Sequence, residues 1–332
     1  MTGRVFYAAA HVAAFSETEI DWEATLRFRR YLWSLGLGVA DAMDTAQRGM
    51  GLSWDATQQL IKLSAAEAAS VGGLLACGVG TDNLEPGDHS LNAVEAAYAA
   101  QLEFVQATGA GVILMASRAL AAAARGTRDY HTVYDRLLSQ VDRPVILHWL
   151  GEMFDPQLAG YWGPSPDESV LALIHAHSRK VDGIKVSLLD ADREIALRAA
   201  LPTGVKLYTG DDFHYPALIE SGSHALLGIF DAIAVPASRA LRALSTGDTA
   251  RLREILDPTV ALARHIFEPP THQYKTGIVF LAWLNGFQDH FVMVGGLQAA
   301  RSRQHLARLY QLALDAGVIA DPDLAASRWA SL

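Results

Sequence analysis

One lysine stands in a context that could make it a nucleophile. Lys185 lies within the apolar run V-D-G-I-K-V-S, and the chain contains only five lysines. A lysine in a buried strand is poorly solvated, so its pKa falls and more of it is the neutral amine that attacks carbonyl carbon. A second interpretation pairs a charged Lys185 with a carboxylate such as Asp44 or Asp211, where it would stabilise loops without reacting. The residue types leave both roles open.

The segments around this lysine indicate which elements position it. Short apolar runs bounded by Gly, Pro or Asp alternate with longer amphipathic segments. The runs predict strands at Val5–Ala10, Leu37–Ala42, Leu74–Val79, Gly111–Met115, Pro144–Leu147, Val181–Val186, Val205–Thr209 and Ala225–Ile229. The segments between them predict helices at Trp22–Leu35, Trp54–Val71, Leu91–Ala107, Tyr130–Gln140, Ser169–Ser178, Asp192–Ala200 and Tyr215–Ser221. Eight such units in an α/β chain predict a (β/α)8 TIM barrel. A dinucleotide-binding sheet is not favoured because no G-x-G-x-x-G turn follows the first strand.

In such a barrel, reactive groups sit where the strands end and the βα loops converge. The polar residues at those eight positions are His11, Asp44 with Thr45, Thr81 with Asp82, Ser117 with Arg118, His148 with Trp149, Lys185 with Ser187, Gly210 with Asp211 and Asp212, and Asp231. An Asp after a strand is also a common cap of the next helix, so Asp211 and Asp212 have two interpretations, substrate binding and capping.

The chain becomes helical after Pro236. Helices are expected at Ser238–Leu244, Thr249–Phe267, Lys275–Gly286 and Arg301–Ala316, which suggests a barrel domain over residues 1–244 and a helical extension packed on it over residues 245–332. The apolar stretches at 277–287 and 306–314 would suit subunit packing, so self-association is expected. Lys275 opposes the helix dipole at a helix start and is expected at the surface, with an interface or substrate contact as the alternative.

Composition narrows the class of protein. The chain has 332 residues, a formal net charge of −9 and 51% hydrophobic residues, which predicts a folded protein with a sizeable core. The acidic balance argues against a nucleic-acid partner, and no segment is apolar enough to cross a membrane. The single cysteine, Cys77, excludes a disulfide within the chain and a Cys-based zinc cluster. With no signal-peptide layout at the N-terminus, a cytoplasmic location is expected.

Several motifs in a fixed order resemble one family. V-D-G-I-K-V-S is followed by V-K-L-Y-T-G-D-D and then by H-A-L-L-G-I-F, and R-P-V-I-L-H-W-L-G precedes them. This order resembles the dihydrodipicolinate synthase/N-acetylneuraminate lyase family of class I aldolase barrels, over about residues 20–244. The resemblance implies that Lys185 is the Schiff-base lysine on the sixth strand. It also implies that Gly210, Asp211 and Asp212 form the turn after the seventh.

The chain departs from the family's pattern at three places. His148 stands where the family has a proton-relaying tyrosine on the fifth strand, and Ser117-Arg118 replaces a tyrosine pair after the fourth. Asp44 and Thr45 stand where the family holds a carboxylate with a G-T-T-G-E turn. Asp44 would repel a carboxylate, so Arg48 or Arg118 would restore an anion site, or the substrate would be a neutral polyol or keto-sugar held by Asp44.

The resemblance therefore implies a Schiff-base lyase, aldolase or dehydratase acting on a small carbonyl substrate, namely a keto-sugar, a sugar acid or a 2-oxo acid. Lys185 would form the imine, His148 would shuttle protons, and the substrate oxygens would be held by Asp44, Thr45, Arg48, Arg118, Ser187, Gly210, Asp211 and Asp212. This chemistry needs no organic cofactor and no metal. The resemblance also implies a homodimer or homotetramer. Two alternatives stay open: a metal-dependent sugar isomerase or epimerase, and a barrel that binds a ligand without catalysis. Histidines on helices, such as His265 and His305, are expected to be solvated or packed.

Overall fold

The computed structural model describes residues 3–332, and these residues form a closed eight-stranded parallel barrel surrounded by helices. Each strand pairs with the next along the chain, and the eighth pairs with the first. The strands are β1 Phe6–Ala9, β2 Gly38–Asp41, β3 Leu75–Val79, β4 Gly111–Leu114, β5 Val145–Leu150, β6 Val181–Ser187, β7 Lys206–Thr209 and β8 His224–Leu227. The predicted (β/α)8 TIM barrel is confirmed.

Eight helices accompany the strands as far as β8, one after most strands and two between β4 and β5. They are α1 Trp22–Ser34, α2 Trp54–Val71, α3 Leu91–Ala107, α4 Arg118–Ala123, α5 Thr127–Gln140, α6 Pro166–Ala176, α7 Ala191–Ala200 and α8 Tyr215–Ser221. Side chains of Asp21, Ser53, Ser90 and Asp190 cap the N-termini of α1, α2, α3 and α7. These caps fix where each βα loop ends, and therefore fix the rim on which the polar residues stand.

The helices that follow β8 are α9 Ile229–Ala232, α10 Ala234–Ser245, α11 Thr249–Leu256, α12 Val260–Ile266, α13 Tyr274–Leu284, α14 Arg303–Asp315 and α15 Pro322–Ser331. The single helix expected over Thr249–Phe267 is wrong, because Pro258 cannot donate a helical hydrogen bond and a short 3-10 turn separates α11 from α12. Every residue of α13 is buried, and α13 contacts α9, α14 and the turn at Asp44–Ala46.

The buried state of α13 removes one basis for the predicted oligomer. Its apolar stretch was expected to pack against another subunit, whereas it packs within this chain. The homo-oligomer stays a prediction.

Two apolar cores hold the barrel. A large core fills the space between the sheet and the helices, and a smaller one lies inside the barrel. The inner core is made by side chains from several strands: Tyr7, Ala9, Ala40, Met43, Ala76, Ile113, Met115, Ile146, Tyr208 and Leu226. Because side chains alternate along a strand, the residues between these positions pack outward against helices. Among residues 3–332, no helix is long and apolar enough to cross a membrane.

Candidate active site at the mouth of the barrel

Two candidate catalytic residues lie side by side on neighbouring strands. The register of β5 and β6 pairs His148 with Lys185, so their side chains leave the sheet on the same face. The predicted fifth strand stopped at Leu147, but β5 continues to Leu150 and includes His148. Both side chains are buried, with 8% of Lys185 and 1% of His148 exposed. The strands thus hold an amine and an imidazole together at the mouth.

Burial controls the protonation of Lys185. Loss of water lowers its pKa from the ordinary 10.5, although the nearby carboxylates of Asp44 and Asp212 oppose this shift. The absence of a side chain at Gly210 gives the lysine room: a Cβ there would lie 2.9 Å from Lys185 Cε and 2.1 Å from Ser187 Oγ. The neutral amine is therefore more populated than in a solvated lysine.

His148 is held as a neutral imidazole. Burial, and then the neighbouring Lys185, lowers its pKa well below the ordinary 6.5. Its Nε2 lies 3.3 Å from Ser187 Oγ, and its Nδ1 has no hydrogen-bond partner within residues 3–332. The predicted pair of His148 and Ser187 is thus brought together next to Lys185, as a hydrogen-bonding group with a low tendency to take up a proton.

Asp212 is a carboxyl group tuned to neutral pH. Burial raises its pKa to about 7, against the opposing effects of a hydrogen bond from the Ile229 backbone and of Lys185. Its Oδ1 accepts that bond at 2.8 Å, at the first residue of α9. A group with a pKa near the working pH is well matched to proton transfer.

Asp211 is committed to the turn before α8. Its Oδ1 accepts from the backbone N–H groups of Phe213 and His214 at 2.8 and 2.9 Å, and its Oδ2 lies 2.8 Å from His214 Nδ1. Of the two interpretations left open for this aspartate, the geometry is that of the cap. Of these two adjacent aspartates, Asp212 is the one whose charge acts on the pKa of Lys185, as that of Asp44 does.

Arg48 is also committed to the fold. It makes a bidentate ion pair with Asp82 at 2.6 and 2.8 Å and donates to the carbonyl oxygens of Ala42 and Gly78 and to Gln101. These bonds use all five N–H groups of a guanidinium. In this arrangement all its donors have partners within the chain, and the anion-binding role of Arg48 stays a prediction.

A cavity of about 520 Å³ opens beside these groups. Its wall includes Asp44, Thr81, Met115, Arg118, His148 and Asp155. The other predicted site residues, Thr45, Lys185, Ser187, Gly210, Asp211 and Asp212, are outside this wall. Lys185 is linked to this wall through two of its members: His148 is its register partner on β5, and the charge of Asp44 acts on its pKa.

Arg118 stands at the rim of the cavity. It is the first residue of α4, whose N-terminus is capped by Ser117, and its Nε donates to Asp155 Oδ2 at 2.5 Å. Its side chain is 45% exposed. Both arginines line the cavity, but Arg48 is almost fully buried, whereas Arg118 presents part of its guanidinium to the cavity.

Tyr274 and Lys275 of α13 are also near these groups, although the sequence favoured a surface position for Lys275 and gave a substrate or interface contact only as the alternative. Tyr274 OH lies 2.9 Å from Thr45 Oγ1, and its ring stacks on Phe267. Lys275 is 3% exposed rather than at the surface, and burial lowers its pKa to about 8 while Asp44 opposes the shift. The signal available in the sequence was Lys275 at the second position of α13, a helix that is otherwise mostly apolar. Burial of α13 carries that lysine beneath the mouth.

A comparison with protein-family models identifies the family of this chain. A family model described as "protein of unknown function (DUF993)" matches residues 1–332. The chain belongs to that family. No sequence among the curated proteins matches it.

Solved structures of dihydrodipicolinate synthases share the fold. The chain is similar to the 4-hydroxy-tetrahydrodipicolinate synthase of Methylacidiphilum fumariolicum, at 16% identity, a TM-score of 0.75, and coverage of 95% of this chain and 96% of that one. The dihydrodipicolinate synthase of Aquifex aeolicus is 15% identical, with a TM-score of 0.74 and coverage of 95% of this chain and 99% of that one. The dihydrodipicolinate synthase of Acinetobacter baumannii, solved in complex with pyruvate, is 16% identical, with a TM-score of 0.74 and coverage of 96% of this chain and 100% of that one. The resemblance seen in the sequence motifs is confirmed in the fold.

Proposed function

We propose that this protein is a class I, Schiff-base-forming lyase or dehydratase that acts on a small carbonyl compound. The observation that carries the proposal is the state of Lys185: a buried amine of lowered pKa on β6, in register with His148 and within the field of Asp212. A structural lysine paired with one carboxylate would have a raised pKa instead. The shared fold of the dihydrodipicolinate synthases supports the same class.

The reaction begins with attack of the neutral Lys185 Nζ on the substrate carbonyl carbon. Two proton transfers convert the carbonyl oxygen to water, which leaves as the protonated imine forms. The imine nitrogen then accepts the electron pair of an adjacent C–C or C–H bond and gives an enamine. In aldol cleavage, the hydroxyl proton of the departing fragment passes to a base. In dehydration, the enamine expels a β-hydroxyl as water. After cleavage, the enamine carbon takes up a proton and the imine forms again. Hydrolysis of the imine then releases the product and returns the amine.

Asp212 is the group we assign to these proton transfers. Its pKa of about 7 lets it give and take a proton near neutral pH, whereas the pKa of His148 lies too low for it to be an effective base there. His148 and Ser187 instead form a hydrogen-bonding pair that orients the carbinolamine hydroxyl. This division of roles differs from the sequence hypothesis, in which His148 was the proton shuttle.

The cavity favours a hydroxylated substrate. Asp44 lies on the cavity wall next to Lys185 and accepts hydrogen bonds from hydroxyl groups, while the exposed edge of Arg118 can bind a carboxylate at the far end. A keto-sugar fits these groups without an anion, and a sugar acid or 2-oxo acid uses Arg118. Thr45, next to Asp44 in the chain, is held by the hydroxyl of Tyr274.

Borohydride trapping with a panel of keto-sugars, sugar acids and 2-oxo acids tests the proposal. We expect a reduced adduct on the peptide that contains Lys185, identified by mass spectrometry, and no adduct in Lys185→Arg. Asp212→Asn should slow trapping while leaving the adduct on the same peptide. An adduct on Lys275, the other buried lysine near the site, would show that Lys275 is the nucleophile and would contradict the proposed role of Lys185. A binding protein would instead form no adduct even as the unaltered chain, and its ligand affinity would survive Lys185→Arg.

A further inference from the structure

A second cluster of chemistry-bearing side chains lies away from the barrel mouth, between α12 and α14. Its members are His265 and Glu268 at the end of α12 and His305 in the first turn of α14, and we refer to them as the His–Glu–His cluster. Glu268 Oε2 lies 3.2 Å from His265 Nδ1, and Glu268 Oε1 lies 3.0 Å from His305 Nδ1. The two imidazole rings stack with their centroids 4.1 Å apart.

The hydrogen bonds of His265 fix which of its nitrogens carries the proton. Its Nε2 lies 3.0 Å from the backbone oxygen of His305, which can only accept. Nε2 is therefore the protonated nitrogen of a neutral ring, and Nδ1 then directs a lone pair at the carboxylate of Glu268. A lone pair facing a carboxylate oxygen at 3.2 Å is repulsive unless a cation lies between them or the ring is itself charged.

Metal-binding histidines commonly show this same arrangement, in which one nitrogen donates to a backbone carbonyl and orients the other toward the ion. The spacing also fits. In a tetrahedral site with zinc–ligand bonds of about 2.0–2.1 Å, the ligand atoms lie roughly 3.3 Å apart. The two measured separations, 3.0 and 3.2 Å, are close to that value, and one ligand atom from each of the three residues lies within 4.8 Å of the others.

The surroundings leave the carboxylate free for this role. Arg301 lies nearby, but it donates to backbone oxygens of the turn after α12, including those of Glu268 and Pro270. Within residues 3–332, the Glu268 carboxylate has no ion pair with Arg301. The buried Nε2 of His305 likewise has no partner in that part of the chain. The Glu268 side chain is 44% exposed, so solvent or a fourth ligand can reach the cluster.

We propose that His265, Glu268 and His305 form a divalent-cation site of the zinc class, with both Nδ1 atoms and the carboxylate as ligands. Two imidazoles and one carboxylate suit a borderline metal ion such as Zn²⁺ rather than Mg²⁺ or Ca²⁺. A bound ion would link α12 to α14 near the point where the chain leaves α12 and runs to Tyr274 at the start of α13. The site is separate from the Lys185 chemistry and does not rest on the proposed function.

Zinc binding to the full chain tests this site directly. Protein stripped with a chelator is titrated with ZnCl₂ by calorimetry, and bound zinc is counted by elemental analysis after desalting. We expect one Zn²⁺ per chain and a thermal midpoint that rises with zinc concentration, since binding to the folded state stabilises it. Cobalt(II) should give the visible bands of four-coordinate N/O ligation. Magnesium should produce none of these effects.

Three variants separate a built site from chance binding by histidines. Glu268→Gln keeps the size of a partly exposed side chain and should abolish equimolar zinc binding. If Glu268→Gln does not fold, His305→Gln provides a second test of the same ligand set. His175→Gln is the matched control, because His175 also lies 3.1 Å from a backbone oxygen but belongs to no such cluster. It should bind zinc as the unaltered chain does. Absence of equimolar binding by the unaltered chain, or binding retained in both cluster variants, would overturn the proposal and leave a charged His265 paired with Glu268.

Discussion

Replacing Gly210 by alanine tests whether the space for Lys185 depends on a missing side chain. The added Cβ would meet Ser187 Oγ at 2.1 Å, the Val186 carbonyl oxygen at 2.8 Å and Lys185 Cε at 2.9 Å. The Ser187 hydroxyl can rotate away, but the backbone oxygen cannot. Gly210 cannot retreat either, because its own N–H donates to that oxygen at 2.8 Å. Strand β6 or β7 must therefore shift.

Overpacking of this kind costs about 1–3 kcal/mol of unfolding free energy. We expect urea denaturation of Gly210→Ala to show a lower midpoint with an unchanged slope, which indicates lost stability rather than a changed denatured state. The rate of borohydride trapping on Lys185 should fall even under conditions where Gly210→Ala is fully folded, because Lys185 Cε is one of the atoms that the new Cβ displaces. The double variant Ser187→Ala with Gly210→Ala removes the shortest contact and should recover part of the stability but little of the trapping.

Gly80→Ala supplies the control for this experiment. Gly80 follows β3 on the same rim, and a Cβ there would meet no atom closer than 3.7 Å. Its substitution should change stability by no more than about 0.5 kcal/mol. The reasoning fails if Gly210→Ala matches Gly80→Ala in both unfolding and trapping, since the cleft around Lys185 would then have spare room.

Three further predictions concern buried charge. Burial raises the pKa of Glu194 to about 7, so the folded protein keeps the Glu194 carboxyl protonated at pH values where the unfolded chain has lost that proton. Stability should therefore fall as pH rises from about 4.5 to 7, and the unfolding midpoint of Glu194→Gln should depend less on pH across that range. Arg29 and Asp41 form a fully buried bidentate pair at 2.7 and 2.9 Å, so Arg29→Met should cost about 3–5 kcal/mol in urea unfolding, with recovery when Asp41→Leu is added. Burial lowers the pKa of Lys275 to about 8, so stability increases as pH rises from about 8 to 10.5; Lys275→Met should raise thermal stability at pH 7 and remove that pH dependence.

The order of elements was predictable because each barrel strand is an apolar run long enough to stand out from its neighbours. The barrel is closed by pairing of β8 with β1, which the count of eight strands implied. The end of β5 was predicted too early because His148 and Trp149 interrupt the apolar pattern, although both are buried in the strand. Periodicity identifies apolar runs, and it fails where a polar side chain is kept inside a strand.

The site was less predictable because its residues depend on tertiary contacts. Asp211 and Asp212 are adjacent and alike in sequence, yet one caps a turn and the other lies near Lys185. Arg48 carries the charge expected of an anion site, but Asp82 and three other residues occupy it. Lys275 arrives from a helix about ninety residues after β6, and no local pattern connects it with the mouth.

In the proposed mechanism, the proton balance around Lys185 allows one site to hold a reactive amine among carboxylates. Asp44 and Asp212 favour the charged lysine, but burial disfavours every charge in the same space, lowering the pKa of Lys185 and raising that of Asp212 to about 7. Moving one proton from the amine to Asp212 neutralises both groups at once. The state that attacks a carbonyl is therefore also the state in which a proton waits on Asp212 to leave with the carbonyl oxygen. Because the two groups titrate together, the rate of trapping should follow a bell-shaped pH profile whose two limbs belong to the pair. Asp212→Asn should remove the alkaline limb.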